Sequence, residues 1–279
     1  MRLSCQVTST AYLTLPSLSK AIVGRPAVTA AATPRACTGR YYGFAHTRAW
    51  TSAHKLLSKS LRIDIRMAAT STATPLPKRP VTVPFYGERP YPQVLVEVFL
   101  DYNCPYSKKA FLTLWQEVLP HYRADSRVQF AFGLVPQPWH AQTCYMHEAA
   151  LAARQVSGDA GFWKASAALF AQQEDWVDEK VLDKTRRQVY EELAQCLAKA
   201  GVVSSASLIT ERLLTASGNS GNAVGADVKF ACRYHRVRGV HVTPTVHING
   251  IPELNASSSW TVQEWKERID SLLSSELSQ

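Results

Sequence analysis

Cys104-Pro105-Tyr106-Ser107 holds the residue types from which thiol chemistry is built, and the flanking sequence gives that chemistry a setting. Ahead of it, Val94-Leu95-Val96-Glu97-Val98-Phe99-Leu100 reads as an apolar strand running into Asp101-Tyr102-Asn103. Behind it, Ala110, Phe111, Leu114, Val118 and Leu119 recur at helical spacing. A cysteine between a strand and a helix start meets unpaired N–H groups and the positive end of the helix dipole. Both favour thiolate over thiol. Lys108 and Lys109 add positive charge in the first turn. Cys104 is therefore the expected nucleophile, against the alternative of a small apolar residue buried at a strand end. Pro105 suits a first helical turn, where its missing N–H costs nothing. Tyr106 offers a ring either to a substrate or to packing. Ser107 stands where a dithiol motif would carry its second sulfur. A serine there can cap the helix or donate a hydrogen bond to a thiolate, but it cannot form a disulfide. Dithiol oxidation or reduction within the motif is excluded. Monothiol exchange with glutathione, isomerisation of a partner's disulfide and trapping of a partner remain.

These residues need a framework, and the rest of the chain supplies one. A second strand is expected at Val128 to Val135, so that strand, helix and strand form a parallel unit with a right-handed crossover. From about Ala141 to Val237 the pattern is helical: Met146 to Gln155, Phe162 to Phe170, Lys184 to Ala200, Ser205 to Leu214 and Ala223 to Arg236. The β pattern returns at Val240-His241-Val242-Thr243-Pro244-Thr245-Val246-His247-Ile248, followed by Asn249-Gly250, a type I′ turn signal. A last helix is expected from Val262 to about Leu273. The fold class is thus α/β: a small sheet whose strand–helix–strand start and strand–strand–helix finish flank a helical insertion at about 141–237.

The net charge of +9 has a local origin. Residues 1–66 hold ten of the 31 basic residues and one of the 22 acidic ones, which leaves 21 of each for the rest of the chain. With no charge excess left to hold phosphates, no nucleic-acid partner is expected. The leader, rich in Ser, Thr, Ala and Arg, has organelle-targeting composition. Leu56-Leu57-Ser58-Lys59-Ser60-Leu61-Arg62-Ile63 suits a basic amphipathic helix for mitochondrial import, with a chloroplast as the alternative. Met67 offers a second start that would yield a cytosolic form. Residues 67–92 read as a Pro-rich linker or an N-terminal edge strand. No apolar run is long enough to span a bilayer. Cys104, Cys144, Cys196 and Cys232 show neither disulfide-pair nor zinc spacing, so no metal site is expected, and a reducing compartment suits them. His140, His147, His235 and His241 flank the insertion and read as hydrogen-bonded filler. Trp139, Tyr145, Phe162, Trp163, Phe170 and Trp176 read as packing of the helical region, with the alternative that some of them line a groove for apolar substrate segments.

In order and separation these motifs resemble the DsbA-like branch of the thioredoxin superfamily. The resemblance is carried by Asp101-Tyr102-Asn103-Cys104-Pro105-Tyr106, Ala149-Ala150-Leu151-Ala152-Ala153-Arg154, Phe162-Trp163 with Leu169-Phe170, and Gly239-Val240-His241-Val242-Thr243-Pro244-Thr245 with Ile248-Asn249-Gly250. It implies a thioredoxin-like domain over 93–275. It also implies a cis bond at Thr243-Pro244 that sets the Thr243 backbone against Cys104, ready to bind an extended substrate chain. The expected function is that of a monothiol thiol–disulfide oxidoreductase or isomerase acting on a thiol- or disulfide-containing protein or on glutathione, with no tightly bound cofactor. Two alternatives stand beside it: a glutathione transferase or isomerase resembling the kappa class, with Ser107 holding the glutathione thiolate, and a non-catalytic binding module. The family often carries a buried acid six residues before its cysteine. Here that position is Val98, and the neighbouring Glu97, turned to the opposite face by strand alternation, reads as a surface residue.

Overall fold

The computed structural model describes residues 75–274. The expected leader, the start at Met67 and the first part of the Pro-rich stretch lie outside the described residues.

Two apolar runs make the centre of the sheet. β2 (Val94–Leu100) and β3 (Val128–Leu134) pair in parallel, from Val94 opposite Val128 to Leu100 opposite Leu134. Both are buried along nearly their whole length, so neither shows the alternation of a strand with one wet face. β1 (Val83–Pro84) pairs antiparallel with the outer side of β3. β4 (Thr245–Ile248) pairs antiparallel with β2, and β5 (Ile251–Pro252) completes the order β1-β3-β2-β4-β5. Pro84 and Pro252 thus sit in the edge strands, where a missing N–H is tolerated. Asn249 and Gly250 have φ of 49° and 86°, the pair of left-handed residues that a type I′ turn demands. The expected strand from Val240 shortens to Thr245–Ile248, and Val240 to Pro244 form a loop that carries the cis Thr243-Pro244 bond.

The crossover between β2 and β3 is α1 (Pro105–Thr113), a widened π-helical turn at Leu114–Val118 and a short α2 (Leu119–His121). The insertion is α3 (Thr143–Ala171), α4 (Asp178–Val181), α5 (Arg186–Lys199), α6 (Ser207–Leu213) and α7 (Gly225–Val237), and α8 (Val262–Ser274) closes the chain. The two helical runs expected on either side of Ser157 are one helix broken at Gly158, whose φ of 70° suits glycine. Among the described residues, no helix is long and apolar enough to cross a membrane.

The two faces of β2 bury different things. Val94, Val96, Val98 and Leu100 enter the main core with Phe111, Phe130, Phe132 and Phe162, where each fully buried large apolar side chain contributes roughly 1.5–3 kcal/mol. On the other face Phe99 packs with Val135, Val240 and Tyr234. A Cβ on Gly133 would come within 2.4 Å of Phe99 Cδ1, so this layer closes only over bare backbone. Glu97 belongs to this second face and is not the surface residue expected: it is 3% exposed. Its carboxylate accepts from Tyr234 Oη (2.7 Å) and Arg238 Nη2 (2.9 Å). Alternation does turn it away from Val98, but the end of α7 covers the face it turns to.

Candidate functional site

The turn between β2 and α1 is organised by Asp101, which has no exposed surface. Its carbonyl accepts from Cys104 N at 3.1 Å and its amide donates to Ser107 Oγ at 3.3 Å. Its carboxylate accepts from the backbone N–H of Asn103 (3.1 Å), from the Thr143 hydroxyl and from His140 Nδ1 (2.7 Å). His147 Nε2 lies 3.8 Å away, beyond hydrogen-bond range. Both ring nitrogens of His147 are buried without a hydrogen-bond partner. Burial pushes the Asp101 carboxyl up, but His147, Thr143 and His140 outweigh it and hold it below the ordinary carboxylate range. From the insertion, Gln173 Nε2 donates to the carbonyls of Tyr102 (2.6 Å) and Cys104 (3.1 Å), and Asn103 Nδ2 donates to Trp176 O (2.9 Å). The helical insertion therefore clamps the cysteine turn from above.

Cys104 is the N-cap of α1, in extended conformation, with Pro105 as the first helical residue and no side chain capping the first turn. Cys104 is 6% exposed and its thiol donates to Thr243 O at 3.3 Å. The structure thus brings together Cys104, Thr243 and the cis Thr243-Pro244 bond, which lie 139 residues apart in sequence. Thr243 and Pro244 are half-buried, whereas Tyr106 is 64% exposed. Ser107 is fully buried, and its oxygen faces the Asp101 amide, with no hydrogen bond to the sulfur. Lys108 is turned to an exposed ion pair with Glu174. Trp139, expected to pack the helical region, is 61% exposed. It stands on the loop that presents His140 to Asp101, beside Gln137, whose side chain donates to His241 O. Tyr106, Trp139 and Val242 are exposed apolar side chains within two residues of a site residue.

The other thiols have a different environment. Burial pushes Cys144 and Cys196 up to about 11, with Glu148 and Asp175 respectively adding to it, and burial also raises Cys232. Asp101 and Gln173 are the site residues that reading the sequence missed. Asp101 is an acid three residues before the cysteine, and only its contacts with the insertion mark it. His140 and His147, read as filler, converge on it across 39 and 46 residues.

Two sets of groups make stability depend on pH. His235 and His247 are buried and held neutral, their pKa values lowered chiefly by burial. A lowered folded value gives stability that is present above the unfolded value, about 6.5, and lost as pH falls below it. Asp101 repeats this at lower pH, below about 3.9. Urea midpoints are expected to fall in both windows. His247→Gln should flatten the upper decline and Asp101→Asn the lower; unchanged profiles would refute the assignment.

Residues 81–271 match the sequence profile of the thioredoxin family. Among solved structures, a Pseudomonas syringae protein described as a protein-disulfide isomerase is 25% identical, with a TM-score of 0.54 over 67% of this chain and 97% of that one. MdbA from Actinomyces oris, a thiol-disulfide oxidoreductase, is 19% identical, with a TM-score of 0.51 over 68% of this chain and 85% of that one. No curated protein matches the sequence.

Proposed function

The chain belongs to the thioredoxin family, with the helical insertion of its DsbA-like members, and from this we propose that it performs thiol–disulfide exchange through Cys104 alone. The observation that carries the reading is the position of the Cys104 sulfur: at an uncapped helix start, 3.3 Å from the carbonyl that precedes the cis proline. The thiolate attacks one sulfur of a glutathione or protein disulfide. The old S–S bond breaks, a mixed disulfide forms at Cys104, and the leaving thiolate takes up a proton. A second thiolate, from glutathione or from the substrate itself, attacks the mixed disulfide and frees Cys104. Ser107 takes no part in this exchange. The His140–Asp101 pair holds the turn that carries the cysteine and links it to a partly exposed imidazole.

Burial of Ser107 speaks against the kappa-like alternative, because a serine with no exposed surface is not offered to a glutathione thiol. We place the protein in a mitochondrion, with a chloroplast as the alternative, on the composition of residues 1–66. The test is incubation with oxidised glutathione and mass spectrometry of the intact chain. One glutathione on Cys104, removed by reduced glutathione, is the expected result. A chain that takes up none at neutral pH would overturn the reading.

A further inference from the structure

A concave site lies apart from the Cys104 turn. Trp115, in the π-helical turn, is eleven positions from Cys104 along the chain, roughly 16 Å by helical rise. With Phe85, Tyr86 and Trp163 it walls a cleft of about 440 Å³ that is also lined by Arg89, Arg123, Ala160 and Lys164. That volume falls within the range of small-molecule sites, roughly 300–1,000 Å³. The aromatic wall is fixed. Phe85 meets Trp115 and Trp163 edge-on at 5.8 and 4.9 Å, and Trp163 Nε1 donates to Pro84 O at 3.0 Å. Arg89 lies 4.3 Å over the Tyr86 ring, and its guanidinium is occupied by the carbonyls of Arg123 (2.7 Å), Val128 (2.5 Å) and Asp125.

The cleft's remaining polar groups are unspent. Neither Arg123 nor Lys164 has a side-chain hydrogen bond or ion pair among the described residues, and both are exposed. The Tyr86 hydroxyl is buried and has no hydrogen-bond partner among the described residues. Burial raises its pKa against the pull of Arg89 and Arg123, so it remains a donor. No carboxylate among the described residues lines the cleft, and the nearby Asp125 is held by Arg127 at 3.0 and 2.7 Å. Widened π turns are frequent at functional sites. Two exposed cations without acceptors, set against an aromatic wall, call for a ligand that is flat and negatively charged.

We propose that this cleft binds a small planar anion, an aromatic ring bearing a carboxylate, sulfonate or phosphate, stacked against the Trp115 wall with its charge toward Arg123 and Lys164. This goes beyond the exchange chemistry of Cys104 and does not depend on it. The test titrates the full chain with 8-anilinonaphthalene-1-sulfonate, followed by fluorescence, beside the same ring system without its sulfonate. Saturable one-to-one binding is expected, roughly ten-fold tighter for the sulfonate, in line with charge-assisted hydrogen bonds to a cation. The double variant Arg123→Ala/Lys164→Ala, which changes only exposed side chains, should erase that preference. Trp115→Leu should weaken both probes, and Cys104→Ala should change neither. Equal binding of the two probes, an unchanged preference in the double variant or non-saturable binding would each overturn the site.

Discussion

Replacement of Cys104 by alanine is expected to abolish glutathione uptake and disulfide exchange altogether, leaving only the uncatalysed background. The thiolate is the reactive species, and the three other described cysteines are poorly placed to supply it. With a pKa of about 11, Cys144 and Cys196 present about one thiolate in ten thousand at pH 7. Cys232 is raised as well. Ser107→Ala should behave differently. It removes the acceptor of the Asp101 amide, costing on the order of 1 kcal/mol of stability, and leaves the sulfur and the Thr243 carbonyl in place. Exchange should therefore survive at near the wild-type rate. The check is adduct formation by mass spectrometry together with the pH profile of alkylation, comparing both variants with the native chain. A persistent adduct in Cys104→Ala would sink the single-cysteine mechanism. Glutathione binding that survives Cys104→Ala and fails in Ser107→Ala would instead establish the serine as the thiol-holding group.

The second large effect concerns stability. Arg238→Met should destabilise the domain by about 3–5 kcal/mol, because it strands the buried Glu97 carboxylate without its cation. Arg238 Nη2 also donates to His247 Nδ1 (2.8 Å) and to Gly250 O (3.1 Å), so the change loosens the hairpin that follows Pro244. Glutathione exchange should slow in step, although Arg238 lies on the far face of β2 from the main core. Adding Glu97→Gln should recover much of the loss, since a neutral amide still accepts from Tyr234 Oη. Urea unfolding of the two single variants and the double measures this coupling. A loss below about 1 kcal/mol for Arg238→Met, or strict additivity, would show that the pair contributes little.

Much of the framework was legible because it is local. The run Val94 to Leu100 ending at a cysteine, the helical spacing of Phe111, Leu114 and Val118, and the Asn249-Gly250 pair each specify their conformation within a few residues. The helix break at Gly158 was less visible, since the alanine-rich sequence on both sides favours helix and one glycine at φ 70° decides the break. Trp139 misled for another reason. A tryptophan usually reports a core, and only the loop's attachment through His140 and Gln137 leaves it facing water.

By itself the sequence determined that one sulfur stands at a helix start, that its neighbour at the second position is a serine, and that a helical insertion separates this turn from a Thr-Pro segment. These follow from residue type and short-range spacing. The tertiary structure alone decided that Asp101 is the buried acid of the candidate site, held by His140 from the loop after β3 and Thr143 from α3, and that Glu97 is an internal ion-pair partner of Arg238. Whether a carboxylate is wet or buried depends on what covers the face it points to. Here the covering residues come from 42 positions away for Thr143 and 141 for Arg238, distances over which periodicity and propensity carry no information.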